Sequence, residues 1–302
     1  MTLETVLQNG ARGEAGARML GFSVASITKL NDVTALARRL GHPLNVVNIF
    51  VGWQSPFPAQ AVDAIAATGA VPEITWEPWD YQLGVHQDTF PLASIASGAF
   101  DGYTRSWALA AAAWKRPLLL RFAHEMNGNW YPWGIGVNGN TARDYVDAYR
   151  HLHATFESAG ATDVSWIWSP NVIWRGSGSL AAMYPGARYV DLIGIDGYNA
   201  GTSASYSRWS SPAQVFGRTL ADIETFASDR AILITETGSS SHGGSKAAWI
   251  GELLGYLATQ PRVVGFVWSE FDGRADWPID TSATSVAAMR SALARDWGSA
   301  TR

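Results

Sequence analysis

Residues 117–125 read Pro117-Leu-Leu-Leu-Arg-Phe-Ala-His-Glu125. A short, nearly continuous apolar run of this kind suits a strand covered on both faces, and it closes on His124 and Glu125, residues for which packing alone has no use. The segment before it, Tyr103 to Lys115, and the segment after the intervening loop, Ala142 to Ser158, carry helical patterns. A strand between two helices is one βα unit, so the fold depends on how often that unit recurs.

Working outward, seven further apolar runs occur: Met19–Ala25, Val46–Trp53, Val71–Trp79, Val164–Asn171, Val190–Tyr198, Ala231–Gly238 and Val263–Glu270. Helical patterns lie between them at Val33–Leu40, Ala59–Thr68, Ala213–Ser228 and Lys246–Thr259, and a last one at Val286–Trp297; Trp174–Arg188 reads as loop. Eight βα units in 302 residues predict a single α/β domain, a closed (β/α)8 TIM barrel, rather than an open doubly wound sheet. No composition shift marks a linker, so residues 1–302 are expected to form one catalytic unit, with residues 1–17 an N-terminal extension ahead of the first strand.

Composition narrows the function. With 47% hydrophobic and 16% charged residues the chain is not a disordered one, and a net charge of −4 supplies no electrostatic footprint for nucleic acid or an anionic membrane. The absence of Cys removes thiol nucleophiles and Cys-bound zinc. No stretch approaches the ~18 consecutive apolar residues of a spanning helix. Met1-Thr-Leu-Glu-Thr5 lacks the layout of a signal peptide, as a trimmed mature domain would. Gly134-Ile-Gly-Val-Asn-Gly139 matches a dinucleotide fingerprint by letter but follows Trp-Tyr-Pro-Trp instead of a strand, so no cofactor is expected. Asp272, Asp276 and Asp280 fit no calcium-loop spacing and read as a solvated acidic loop, so no metal is expected either.

Chemistry in such a barrel sits where the strands end. There the chain offers Glu77, Trp79, His124, Glu125, Asn127, Asp196, Tyr198 and Glu236, and 11 of its 15 tryptophans: Trp53, Trp76, Trp79, Trp130, Trp133, Trp166, Trp168, Trp174, Trp209, Trp268 and Trp277. Flat neutral rings beside carboxylates and amides suit a polysaccharide or oligosaccharide, whose C–H faces stack on indoles while its hydroxyls bond to the polar groups. Cleaving a glycosidic bond takes two carboxyl groups, and Glu125 and Glu236 each follow an apolar run at the rim. The competing reading is an ion pair with Arg121, four residues before Glu125.

The stretch Arg121-Phe-Ala-His-Glu-Met-Asn-Gly-Asn-Trp-Tyr-Pro-Trp-Gly134 resembles the acid/base motif of glycoside hydrolase family 26 of clan A. Ile74-Thr-Trp-Glu-Pro-Trp79, Trp168-Ser-Pro-Asn171, Asp196-Gly-Tyr198, Thr235-Glu-Thr-Gly238 and the strand ending at Trp268 are similar to that family as well. The resemblance implies a retaining endo-acting hydrolase with Glu125 as acid/base and Glu236 as nucleophile. It also implies His124 beside the nucleophile or the sugar 2-hydroxyl, Tyr198 on Glu236, and Trp130 and Trp268 as aromatic walls, with Trp79 and Trp133 extending the floor. Glu77 and Asn127 complete the expected substrate-binding set. The substrate implied first is β-1,4-mannan, with mixed-linkage β-1,3-1,4-glucan or β-1,3-xylan as alternatives, and the enzyme is expected to be a secreted monomer. A non-catalytic carbohydrate-binding barrel is disfavoured because both carboxylates are present.

Overall fold

All eight apolar runs are strands in the computed structural model, which describes residues 2–14, 16, 18–271, 273 and 275–297. They are β1 (Met19–Ser23), β2 (Val46–Gly52), β3 (Val71–Glu77), β4 (Leu118–Phe122), β5 (Val164–Trp168), β6 (Leu192–Asn199), β7 (Ala231–Ser239) and β8 (Val263–Ser269). Each pairs in parallel with the next, and β8 returns to β1 with Met19 opposite Gly265 and Ser23 opposite Ser269, so the barrel is closed.

Ten helices are described: α1 (Leu3–Ala11), α2 (Leu30–Leu40), α3 (Ala59–Ala67), α4 (Leu92–Ala96), α5 (Asp101–Trp114), α6 (Ala142–Ser158), α7 (Leu180–Met183), α8 (Pro212–Glu224), α9 (Lys246–Ala258) and α10 (Ala283–Asp296). Their ends follow local chemistry. Thr141 and Asp144 form a capping box at the start of α6, and Ser211 and Gln214 another at α8, where Pro212 takes a first-turn position that needs no N–H. The segment read as loop after β5 holds only the single turn α7. The segment read as an N-terminal extension contains α1, which packs Val6, Leu3 and Leu7 against an apolar cluster that includes Leu119, Ile167, Leu192, Leu233 and Val267. Contact there is close: a Cβ on Gly10 would stand 2.2 Å from Val264 Cγ1. The helix therefore shuts the floor of the barrel, the end away from the strands' carboxyl termini.

Strand alternation divides the interior from the outer layer. Outward positions such as Phe22, Trp76, Phe122, Trp166, Trp168 and Trp268 join the apolar layer shared with the helices. Inward positions are apolar at the floor and polar above it. In that upper tier Asn48 donates to Ser23 at 3.1 Å, Thr75 to Asn48 at 2.8 Å, and Arg121 to Thr75 at 2.9 and 2.6 Å. A buried polar group without a partner is costly, so this ring of bonds is what lets a barrel interior carry charge at all.

Candidate active site

Glu236 reaches the barrel mouth through an irregularity in β7. Leu233 faces Gly194 and Glu236 faces Asp196, so three steps along β7 match two along β6. The extra residue breaks the period-2 alternation and lets both Thr235 and Glu236 turn inward. Thr235 donates to Asp196 at 2.7 Å, while Glu236 accepts from Arg121 at 2.6 Å through Oε1 and from the Tyr198 hydroxyl at 2.8 Å through Oε2. Tyr198 in turn contacts Ser269 and lies tilted against Trp277, with ring centroids 4.8 Å apart. A carboxylate with a guanidinium on one oxygen and a phenol on the other is held in one orientation, as an attacking nucleophile must be.

Glu125 comes from the turn after β4. Ala123 and Glu125 both sit in the left-handed region, at φ 45° and 53°, a conformation uncommon for residues with a side chain. The turn is fixed by main-chain bonds from Ala123 to Trp76 O at 3.1 Å and from Glu125 to Ser169 O at 2.7 Å. The side chain accepts from Asn171 Nδ2 at 2.6 Å on Oε1 and from the Trp130 indole on Oε2. Burial and the charge of Glu236 push Glu125 up to about 7, against the opposing pull of the Asn171 and Trp130 donors. Glu125 and Glu236 keep 6% and 7% of their surface open, so neither is sealed off.

Arg121 does not pair with Glu125. Its guanidinium lies 2.8 Å from Asp196, 2.6 Å from Glu236 and 3.3 Å from Glu73, and all of these are buried. Glu73 is raised to about 7 and Asp196 well above its usual value, in both cases by burial first. His124 is buried with its Nε2 3.8 Å from Glu236 and both ring nitrogens unpartnered, and burial and Arg121 hold it well below the usual imidazole value. It is thus a neutral ring with an N–H to offer. His124, Asp196 and Glu236 bring ligand atoms within 4.8 Å of one another, but the Arg121 cation already occupies both carboxylates, which disfavours a dication there.

The sequence comparisons bear on the same strand ends. Residues 95–227 match the model of "Glycosyl hydrolase family 26". Over 260 residues, 84% of this chain, the protein is 36% identical to "Endoglucanase H" of Acetivibrio thermocellus, of which it covers 28%. The chain belongs to glycoside hydrolase family 26. It is also 32% identical over 87 residues to a "Mannan endo-1,4-beta-mannosidase" of Bacillus subtilis, 27% of this chain and 23% of that protein. The fold is similar to the catalytic domain of a family 26 endo-β-1,4-mannanase from Bacillus sp. JAMB-750, with a TM-score of 0.74, 16% identity, and 97% and 90% of the two chains covered. The chain spans about a quarter of the length of the curated relatives just compared.

Within this family 26 barrel the aromatic expectations divide. Trp130 is half-buried beside Glu125, with Trp174 at 5.6 Å, and Trp79 is half-buried edge-on to Tyr131 and Trp133. Trp268 is not a cleft wall: it is 0% exposed, faces outward against Trp249, and donates to Trp277 O at 2.9 Å. Trp133 does not extend the floor directly either. It is 1% exposed, stacks on Tyr131 at 4.5 Å and donates to the His124 carbonyl at 2.6 Å, so it backs the surface that Tyr131 presents. Trp53, Trp76, Trp166 and Trp168 are likewise packing residues.

Asn127 corrects another expectation. Its carboxamide accepts from Asn171 N and donates to Asn171 O, both at 2.8 Å, and to Ser177 Oγ at 3.1 Å, so it ties two loops together and has little left for sugar. Glu77 lies at the inward end of β3, buried and hydrogen-bonded to Trp79, and burial pushes it up to about 8. Asp272 lies outside the described residues. Asp276 is not freely solvated: it accepts from Ser240 and Ser241 and pairs with Lys246 at 3.4 Å. Arg121, Asp196, Asn171, Tyr131 and Trp277 join the site although the sequence reading gives them no substrate or catalytic role: Asp196 and Trp277 stand there only among the strand-end residues, Asn171 and Tyr131 only inside the family-like motifs, and Arg121 only as a competing ion-pair partner.

Proposed function

We propose that the chain is a retaining endo-β-glycanase in which Glu236 is the nucleophile and Glu125 the acid/base. The observation that carries this is the unlike surroundings of the two carboxyl groups: Glu236 is held by Arg121 and Tyr198, whereas Glu125 is raised to about 7 and so holds a proton near neutrality. In the first step Glu236 Oε attacks the anomeric carbon, the glycosidic C–O bond breaks, and Glu125 gives its proton to the departing oxygen. Glycosylation removes the charge of Glu236, Glu125 becomes more acidic, and it then takes a proton from the water that releases the sugar. Neutral His124 offers an N–H to a sugar hydroxyl next to the nucleophile, Glu77 offers a second polar contact, and Trp130 and Trp79 offer ring faces. A polymer of this kind is met outside the cell, which favours a secreted enzyme.

The first substrate reading is β-1,4-mannan, supported by several relatives named mannan endo-1,4-β-mannosidases. Mixed-linkage β-glucan is the second, favoured by the 36% identity to the protein named "Endoglucanase H" across most of this chain. Product profiles on glucomannan, galactomannan, barley glucan and β-1,3-xylan separate them. The catalytic assignment is tested by azide rescue. Glu125→Ala should lose several orders of magnitude in kcat on polymer, keep activity on activated aryl glycosides and yield a β-azide, while any rescue of Glu236→Ala should yield the α-azide. The swapped outcome reverses the two roles.

A further inference from the structure

Glu125 meets two donors, and only one of them is locked. Asn171 Nδ2 stands 2.6 Å from Oε1. The main chain of Asn171 is clamped on both sides by the Asn127 carboxamide, at 2.8 Å each way, and bridges to Asp196 on β6. The Trp130 indole on Oε2 sits instead on a loop, half-buried. A carboxyl group has two oxygens, and one of them must carry the proton that the reaction spends.

We propose that Asn171 is a positioning residue for the acid/base: its carboxamide keeps Glu125 Oε1 as a permanent acceptor and leaves Oε2 to exchange the proton with the leaving group and, later, with water. The inference rests on Glu125 being the acid/base. Three features support it. The Asn171 bond is short and runs from a half-buried carboxamide to a buried carboxyl group, and a hydrogen bond to an ionised carboxylate is stronger than a neutral one. The clamp by Asn127 spends the main-chain groups of Asn171 and so leaves its side chain free for this one contact. The donor also favours the ionised carboxylate, countering the burial that would otherwise keep the proton bound through the second half-reaction, when Glu236 is glycosylated and uncharged.

The test uses Asn171→Ala and Asn171→Asp in the full chain; neither touches the main-chain pair with Asn127. The kcat/KM profile against pH is read on the polymer that the enzyme cleaves and on a dinitrophenyl β-glycoside of the same sugar. The limb at high pH reports the essential acid. Losing a donor to the carboxylate should move that limb upward, by about half a unit or more for Asn171→Ala and further for Asn171→Asp, which adds a negative charge. Polymer turnover should fall about 10–100-fold, the usual scale for loss of an orienting partner, while the activated glycoside, which needs no protonation, is nearly unaffected. An unmoved limb, or equal losses on both substrates, overturns the role of Asn171. If Glu125→Ala retains polymer turnover, the acid/base assignment itself fails, a separate result from either of these.

Discussion

Glu77 and Glu125 show how one functional group acquires two characters at one barrel mouth. Glu125 is buried near a negative charge but has two donors, whereas Glu77 is dominated by burial and is raised to about 8. An unfolded Glu ionises near 4.5, so between that value and about 8 the folded chain binds more protons at Glu77 than the unfolded chain does. Stability contributed at this position is therefore fully present at low pH and lost as pH rises through the window. Glu77→Gln should melt at a higher temperature than the parent at pH 8 and lose that advantage by pH 4; an equal gain at both values would mean that the carboxyl group is not held neutral. For turnover, the raised Glu125 predicts that kcat/KM on polymer falls above about pH 7. A profile flat to pH 9 would remove Glu125 from the acid role. The identities of both carboxyl groups were legible in the sequence because each ends an apolar run. Their pKa values were not, since these depend first on burial and then on groups that only the fold brings close: Trp79 beside Glu77, and Glu236, Asn171 from the segment after β5 and Trp130 from the loop after β4 beside Glu125.

Single elements explain which site residues sequence reading finds and which it misses. The period of a strand says which residues share a face, and on that basis Trp166, Trp168 and Trp268 belong with Phe22 and Phe122 in the outer layer, away from the mouth. The family resemblance implies Trp268 as a wall, and a count of aromatic residues at strand ends does not object because it ignores that parity. Glu236 is the opposite case: regular alternation from Leu233 would carry it outward, and only the bulge against Gly194–Asp196, invisible in the residue pattern, brings it in. These two readings give a paired expectation. Trp268→Ala should cost ~3–5 kcal/mol of stability as a buried Trp does, with near-normal kinetics in the fraction that stays folded. Trp130→Ala should leave the melting temperature within a few degrees and depress kcat on an oligosaccharide. Melts and kinetics on both variants decide it, and matching stability losses would put Trp130 in the core as well.

At the level of the whole molecule the two ends of the barrel divide the work. The floor is closed by α1, and the mouth carries the carboxylates. Gly10→Val puts carbon into a space where even a Cβ would stand 2.2 Å from Val264, so it should destabilise the fold by about 1–3 kcal/mol while leaving kcat/KM of the folded enzyme unchanged. A matching fall in kcat/KM would show that strain at the floor reaches the mouth. The closed eightfold alternation was readable from the sequence because every run is short and bounded by loops. The role of residues 3–11 was not, because a lone amphipathic helix ahead of β1 carries no mark of where it docks.

Arg121 has one more consequence, for how the chain assembles. It stands opposite Thr75 of β3 and Ile167 of β5, and its guanidinium is met by Glu73 from β3, Asp196 from β6 and Glu236 from β7. A strand β4 paired one residue out of step would turn this cation into the layer of Leu118, Leu120 and Phe122 and strand three carboxylates in the interior. Removing one partner from a buried charge cluster is costed at roughly 3–5 kcal/mol, a large share of the stability of most domains. The group that orients Glu236 thus also proofreads strand alignment, so a misthreaded barrel is penalised before its mouth is ever formed.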